Sequence, residues 1–293
     1  MASQLSIRYY ARGAHHFVST RALEILALQA SPVLGILLGG FSPRRYGVIL
    51  PVLLILGSLA LTAHVFVLND WAGHVSDTRD PRRVTFVIDR EGINRRNVGL
   101  VAVALLIFAN ATFAVVGTRA VLLGAGIATL SLLYSCSPSF GKSTPIAASL
   151  NHVIGGALHF LLGYSLSHAL DARGVLISLF FGFVFAAGHL NQEVRDYEGD
   201  LLNEIPTSAV VFGCRRTFLA SLIFFTVAYA ILFTLAALGI LPRLLLWSVF
   251  VWLLHVVWSL QALRRGLGFE TAIWMQRRYR VLFAFIGIAM LAR

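Results

Sequence analysis

The sequence predicts an all-α integral membrane protein, a bundle of about nine transmembrane helices, and three observations predict it. Of 293 residues, 58% are hydrophobic and only 13% are charged, against roughly 25% charged in a soluble domain. Mean hydropathy is +0.79, so polar side chains are too few to cover a soluble globule and the surplus apolar surface has to face lipid. The apolar residues also fall into charge-free runs of about the ~20 residues that cross a hydrocarbon core.

Residues 1–19 mix Arg8, Arg12, His15 and His16 with short apolar stretches. No small-residue cleavage site follows a compact apolar core, so the first helix is expected to be retained as an anchor. The charge-free runs are Ile25–Ser42, Tyr46–Leu68, Asn97–Thr118, Ala120–Gly141, Ser143–Leu170, Gly174–Gln192, Thr217–Pro242 and Leu244–Leu263. A ninth, Val281–Ala292, is too short alone. It is predicted to begin near Thr271, with Arg277, Arg278 and Arg280 snorkelling to the interface. Pro43, Pro81, Pro138, Pro145 and Pro242 punctuate the gaps. No soluble appendage or linker interrupts this pattern, so residues 1–293 are expected to form one membrane domain.

Orientation follows from the basic residues. With nine spans and a cytoplasmic N-terminus, 18 of the 24 Lys and Arg fall on the cytoplasmic side and 6 on the other, as the positive-inside rule requires. The net charge of +11 is thus an orientation signal, and no nucleic-acid partner is expected. The single lysine, Lys142, among 24 basic residues points to a GC-rich coding sequence, and hence to a bacterial cytoplasmic membrane. Cys136 and Cys214, the two cysteines, fall near cytoplasmic ends, where disulfides do not persist. Both are expected to be small buried residues.

Ten of the 13 acidic residues lie in two segments. Asp70, Asp77, Asp80, Asp89 and Glu91 follow the second span, and Glu193, Asp196, Glu198, Asp200 and Glu204 follow the sixth. Four helices separate the clusters, so the chain returns to the same face and the two can meet across the bundle. If the sixth helix continues through its cluster, Glu193, Asp196 and Asp200 share one face at i, i+3 and i+7. Asn69, Gly73 and Asp77 share one on the second helix. Carboxylates stacked in this way repel unless a cation joins them. Oxygen donors without thiolate favour Mg²⁺, which shares its shell with water and phosphates. Arg79, Arg82, Arg83, Lys142 and Arg195 lie around the clusters, and carboxylates, magnesium and guanidinium together suit a diphosphate.

These residues resemble the UbiA superfamily of intramembrane prenyltransferases. The first motif is Asn69-Asp70-x-x-Gly73-x-x-x-Asp77, where the family has NDxxDxxxD. The second is Asp196-x-x-x-Asp200, with Glu193 upstream and the run EGDLLNEIPTSAVVFG continuing it. Tyr134-Ser135-x-x-Pro138 followed by Lys142 is similar to the family's YSxxPxxxK segment. Two departures stand out. Gly73 replaces the middle aspartate of motif one, and Phe140 stands where many relatives carry Arg.

The resemblance implies an active-site mouth on the cytoplasmic side, with motif one near residues 69–80 and motif two near 191–200. It implies Mg²⁺ as cofactor, held among Asn69, Asp70, Asp77, Glu193, Asp196 and Asp200. Arg79, Arg82, Lys142 and Arg195 would bind the diphosphate, and Tyr134, Ser135 and Lys142 would serve the chemistry. Asn151 and His152 are placed in an acceptor pocket. The expected partners are a prenyl diphosphate, a small-molecule acceptor of quinone-precursor or phenolic type, and membrane lipids; no obligate protein partner is evident. A terpene cyclase on the same fold is the alternative, because Gly73 removes a ligand. An ion-coupled transporter is the further one, because intramembrane acids also mark ion pathways.

His152 and His159, seven apart on the fifth helix, are expected to be hydrogen-bonded inside the bundle. Gly35, Gly39-Gly40 and Gly155-Gly156 are expected to mark close helix packing.

Overall fold

The structure, a computed structural model, describes residues 21–73 and 94–292. Among them are nine long helices: α1 Arg21–Leu38, α2 Ile49–Gly73, α3 Arg95–Val116, α4 Thr118–Cys136, α5 Pro145–Tyr164, α6 Ala172–Leu202, α7 Cys214–Ala237, α8 Arg243–Arg265 and α9 Phe269–Ala289. Short helices at Pro43–Tyr46 and Ser208–Phe212 sit in connections. Eight of the long helices are apolar enough to cross a membrane. The ninth, α9, has 21 residues, about 31 Å at 1.5 Å per residue. It is long enough, and its three arginines together with Glu270 and Gln276 lower its hydropathy. It begins at Phe269, close to the expected Thr271.

Local chemistry sets the helix boundaries. Asn94 caps α3 by accepting the Arg96 N–H at 2.8 Å, and Pro145 occupies the first turn of α5, where its missing N–H costs nothing. Asp171 caps α6: Oδ1 accepts the Gly174 N–H at 2.8 Å and the Tyr164 hydroxyl at 3.1 Å. The Gly174 N–H, ahead of the other neighbours, holds that carboxyl below its ordinary range. A single residue, Gly117 at φ 140, turns α3 into α4, a conformation that favours glycine.

Helix α6 is the centre of the bundle, packing on α5, α7 and α9, while α2 lies along α3 and α1 lies on α5. The α1–α5 contact is backbone against backbone. A Cβ on Gly35 would strike the Phe160 carbonyl and one on Gly163 the Pro32 carbonyl. Gly39 and Gly156 likewise mark close approach, Gly156 against the Phe181 carbonyl at 2.9 Å. Two expected members do not: nothing lies within 4 Å of a Cβ on Gly155 or Gly40, and Gly40 serves a turn at φ 76.

Several polar side chains inside the bundle are paired across helices, which hydrocarbon favours. Ser58 and His159 meet at 2.9 Å, Gln29 donates to Thr62 at 3.1 Å, and His64 Nδ1 reaches the Ala102 carbonyl at 2.8 Å. Outward faces are apolar, for example Leu100, Val103 and Ile107 on α3. The cysteines depart from expectation: Cys136 is exposed and Cys214 half-buried, both free. They are the last residue of α4 and the first of α7, where neighbouring helices no longer cover them.

Replacing Gly163 by Val is expected to force α1 off α5, an overpacking cost of about 1–3 kcal/mol. A thermal unfolding scan of the detergent-purified variant should show a lower midpoint, with Gly155→Ala unchanged as the control.

Candidate active site

Four helices meet near one face. Arg21, at the start of α1, donates to Asp70 Oδ1 near the end of α2 at 3.2 Å. Glu24, one turn on, lies 3.8 Å from Arg195 of α6 and 3.4 Å from Arg280 of α9. These contacts place the α2 and α6 ends at the same mouth, as the even number of crossings requires.

Helix α6 runs through its acidic segment to Leu202, so Glu193, Asp196 and Asp200 do lie on continuous helix. Each has a different environment. Asp196 is held in a two-pronged pair by Arg195, with Nε–Oδ1 and Nη2–Oδ2 both at 2.8 Å. Arg195 also donates to Gln276 Oε1 at 3.3 Å. Asp200 is buried and accepts from the Thr207 hydroxyl at 3.1 Å. Glu193 is buried, and its Oε2 accepts the Ser208 N–H at 2.9 Å. Its Oε1 lies 3.0 Å from His189 Nε2, too oblique for a hydrogen bond.

The segment after α6 therefore folds back on it. The reversal occurs at Glu204, whose φ of 58 is the one positive value outside glycine among the described residues. The Ile205 N–H then returns to the Asp200 carbonyl at 2.9 Å.

The α4 end supplies a second cluster. The Tyr134 ring meets His152 and His189 edge-on, with centroids 5.1 and 5.8 Å away. The two imidazoles stack 3.7 Å apart and 6° from parallel. His152 Nδ1 lies 2.8 Å from the Ala148 carbonyl. A carbonyl only accepts, so Nδ1 carries the hydrogen and Nε2 keeps its lone pair. Asn151 donates to the Leu130 carbonyl at 2.8 Å, tying α5 to α4. The Lys142 N–H returns to the Tyr134 carbonyl at 2.9 Å, and Ser135 Oγ is buried without a partner.

The structure thus brings Tyr134, His152, His189 and Glu193 into one chain of contacts, and Asp70, Asp196 and Arg195 to the mouth with Arg21 and Glu24. Asp77, Arg79 and Arg82 lie outside the described residues. Sequence reasoning gave no role to His189, Arg21, Glu24 or Gln276. For His189 a signal existed, four residues before Glu193 on the same helix face. Nothing in spacing tells which helices Arg21 and Glu24 meet.

The donors suit a hard cation. All are oxygens, and Asn69 Oδ1 is buried with no hydrogen-bond partner, an unmet requirement that a cation's positive field satisfies. No three His, Cys, Asp or Glu side chains among the described residues converge closely enough to hold a metal alone.

The described residues form an all-helical membrane bundle with acidic segments converging on one mouth, and comparison with known proteins gives its family. The UbiA prenyltransferase family model matches residues 31–286, and the chain belongs to that family. Among solved structures, a UbiA homolog from Archaeoglobus fulgidus bound to GPP and Mg²⁺ superposes with a TM-score of 0.73 at 19% identity, covering 92% of this chain and 97% of that one. The apo structure of a UbiA homolog from Aeropyrum pernix K1 gives 0.67 at 17% identity, covering 91% and 98%. A digeranylgeranylglyceryl phosphate synthase structure gives 0.65 at 14% identity, covering 96% and 98%. No curated protein matches the sequence.

Glu193→Gln keeps an acceptor for the Ser208 N–H, whereas Glu193→Ala leaves a buried donor unpaired at about 1–3 kcal/mol. Thermal unfolding of both should place Gln near the parent and Ala clearly below it.

Proposed function

We propose that this protein is a Mg²⁺-dependent prenyltransferase that moves a prenyl group from its diphosphate to a small aromatic acceptor of quinone-precursor or phenolic type, releasing pyrophosphate, with its mouth and N-terminus toward the cytoplasm. The observation that carries the reading is the meeting of the α2 and α6 acidic ends, with Arg21 and Arg195 between them. Relatives solved with GPP and Mg²⁺, and with DMAPP and Mg²⁺, support it.

Asn69, Asp77, Asp196 and Asp200 are the residues assigned to the metal, with Asp70 and Glu193 bracketing them. These side chains would hold magnesium, whose chemistry when bound would be to offset the diphosphate's charge and make it a better leaving group. Arg21, Lys142 and Arg195 are assigned to draw in the diphosphate and hold its oxygens, a role that the sequence pattern extends to Arg79 and Arg82. The prenyl chain lies in the bundle, where water that would quench an allylic cation is excluded. The faces of Tyr134 and the stacked imidazoles border that position and favour positive charge. On the acceptor side, His152 offers its Nε2 lone pair to an acceptor hydroxyl, and Asn151 keeps α5 in register on α4.

Asp196→Ala and Asp200→Ala are each expected to lower prenyl transfer by about 10²–10³-fold, and EDTA to abolish it, measured as pyrophosphate release from geranyl diphosphate. Parent-like rates in both variants would remove the metal assignment. His152→Phe is expected to depress transfer to an acceptor while sparing slow, acceptor-independent pyrophosphate release, a difference resolved by assaying with and without a quinol. The terpene-cyclase alternative rests on Gly73, a buried glycine at the last turn of α2 where motif one lacks its middle carboxylate. Cyclised hydrocarbon from geranylgeranyl diphosphate and Mg²⁺ without acceptor would establish it in place of transfer.

A further inference from the structure

A second basic site lies at the same face, away from the acidic mouth, where α8 ends and α9 begins. A cavity of about 360 Å³ is lined by Arg265, Arg277 and Arg278 together with Glu270, Thr271 and Trp274. The arginines are organised by aromatic rings rather than by carboxylates. Arg278 lies 3.8 Å from the Trp274 centroid and 5.5 Å from that of Trp258, and Arg265 lies 4.6 Å from the Trp274 centroid. Two guanidiniums thus share one indole, and none of the three forms an ion pair with a carboxylate among the described residues. Like charges gathered in this way repel, and an anion placed between them removes the repulsion.

What lies beneath the cavity identifies the kind of anion. Val281, Phe285 and Ile288 follow Arg277 down one face of α9 at four-, eight- and eleven-residue steps. They are 53%, 65% and 70% exposed, so this stripe faces lipid. A basic cavity roomy enough for a phosphodiester headgroup, bordered by tryptophan and above an apolar stripe, fits an amphiphile with a phosphate head and hydrocarbon tails. We infer that the α8–α9 cavity binds the headgroup of an anionic phospholipid, a site separate from the proposed reaction and independent of it.

Native mass spectrometry of the full chain, released from micelles holding equimolar phosphatidylglycerol and phosphatidylcholine, tests this. Phosphatidylglycerol should be retained preferentially, and Arg265→Gln, Arg277→Gln and Arg278→Gln combined should reduce the preference to that of phosphatidylcholine. Arg44→Gln with Arg45→Gln, at the opposite face, should leave it intact. Should the triple variant not fold, Arg277→Gln alone, an exposed side chain, should weaken phosphatidylglycerol retention by about fivefold. Equal retention of the two lipids, or unchanged phosphatidylglycerol retention in the folded cavity variants, overturns the inference. Displacement of phosphatidylglycerol by equimolar geranyl diphosphate, or by inorganic phosphate, also overturns it, assigning the cavity to substrate or to a free anion.

Discussion

The Arg195–Asp196 pair, flanked by Glu24 and Gln276, is the interaction on which the mouth of the bundle depends. A guanidinium at this depth is tolerated only where carboxylate and amide oxygens surround it, because its hydration is partly stripped. Its partners come from α1, α6 and α9, so satisfying one charge fixes the relative positions of three helices. The two side chains are half-buried, so removing one member costs less than the about 3–5 kcal/mol of a fully buried pair, since water partly compensates the other. The same contacts hold the acidic segment of α6 against α1 and α9.

Rigidity elsewhere serves that arrangement. Helices α1 and α5 touch through glycine and carbonyl with no side chain between them, so α1 cannot slide without breaking backbone contact. That contact anchors the far half of α1, and its near half delivers Arg21 and Glu24 to the mouth. Hydrogen bonds from Ser58, Gln29 and His64 do the same work between other helices. In hydrocarbon each has no water to fall back on.

Much of this was legible in the sequence, and the reasons differ by feature. The spans were visible because lipid imposes a length, and the i, i+3, i+7 spacing put Glu193, Asp196 and Asp200 on one face on the condition that the sixth helix ran past Gln192, which it does. The start of α9 was legible once its arginines were allowed to snorkel. What was not legible depends on rotation about helix axes. Nothing local says that His189 stacks on His152, that Arg21 finds Asp70, or that Cys136 points away from its neighbours. Those facts belong to pairs of helices, and one chain's periodicity carries no information about which faces meet.

The turn at Glu204 bears on how the protein tolerates change. Residues 205–208 are bound back to α6 through the Ile205 and Ser208 amides and the Thr207 hydroxyl, so this connection is a wall of the mouth and not a free tether. Added residues there would detach amides from Asp200 and Glu193. The α7–α8 connection on the opposite face turns at Gly239, φ 71, and its Gly239, Ile240 and Leu241 amides bind back to the Ala236 and Leu235 carbonyls of α7, away from the carboxylates of the mouth. Insertion tolerance follows the hydrogen bonding of the affected backbone. A reporter or affinity handle on the α7–α8 side would disturb only the local turn bonds of that connection, and lengthening the chain there leaves the carboxylates undisturbed.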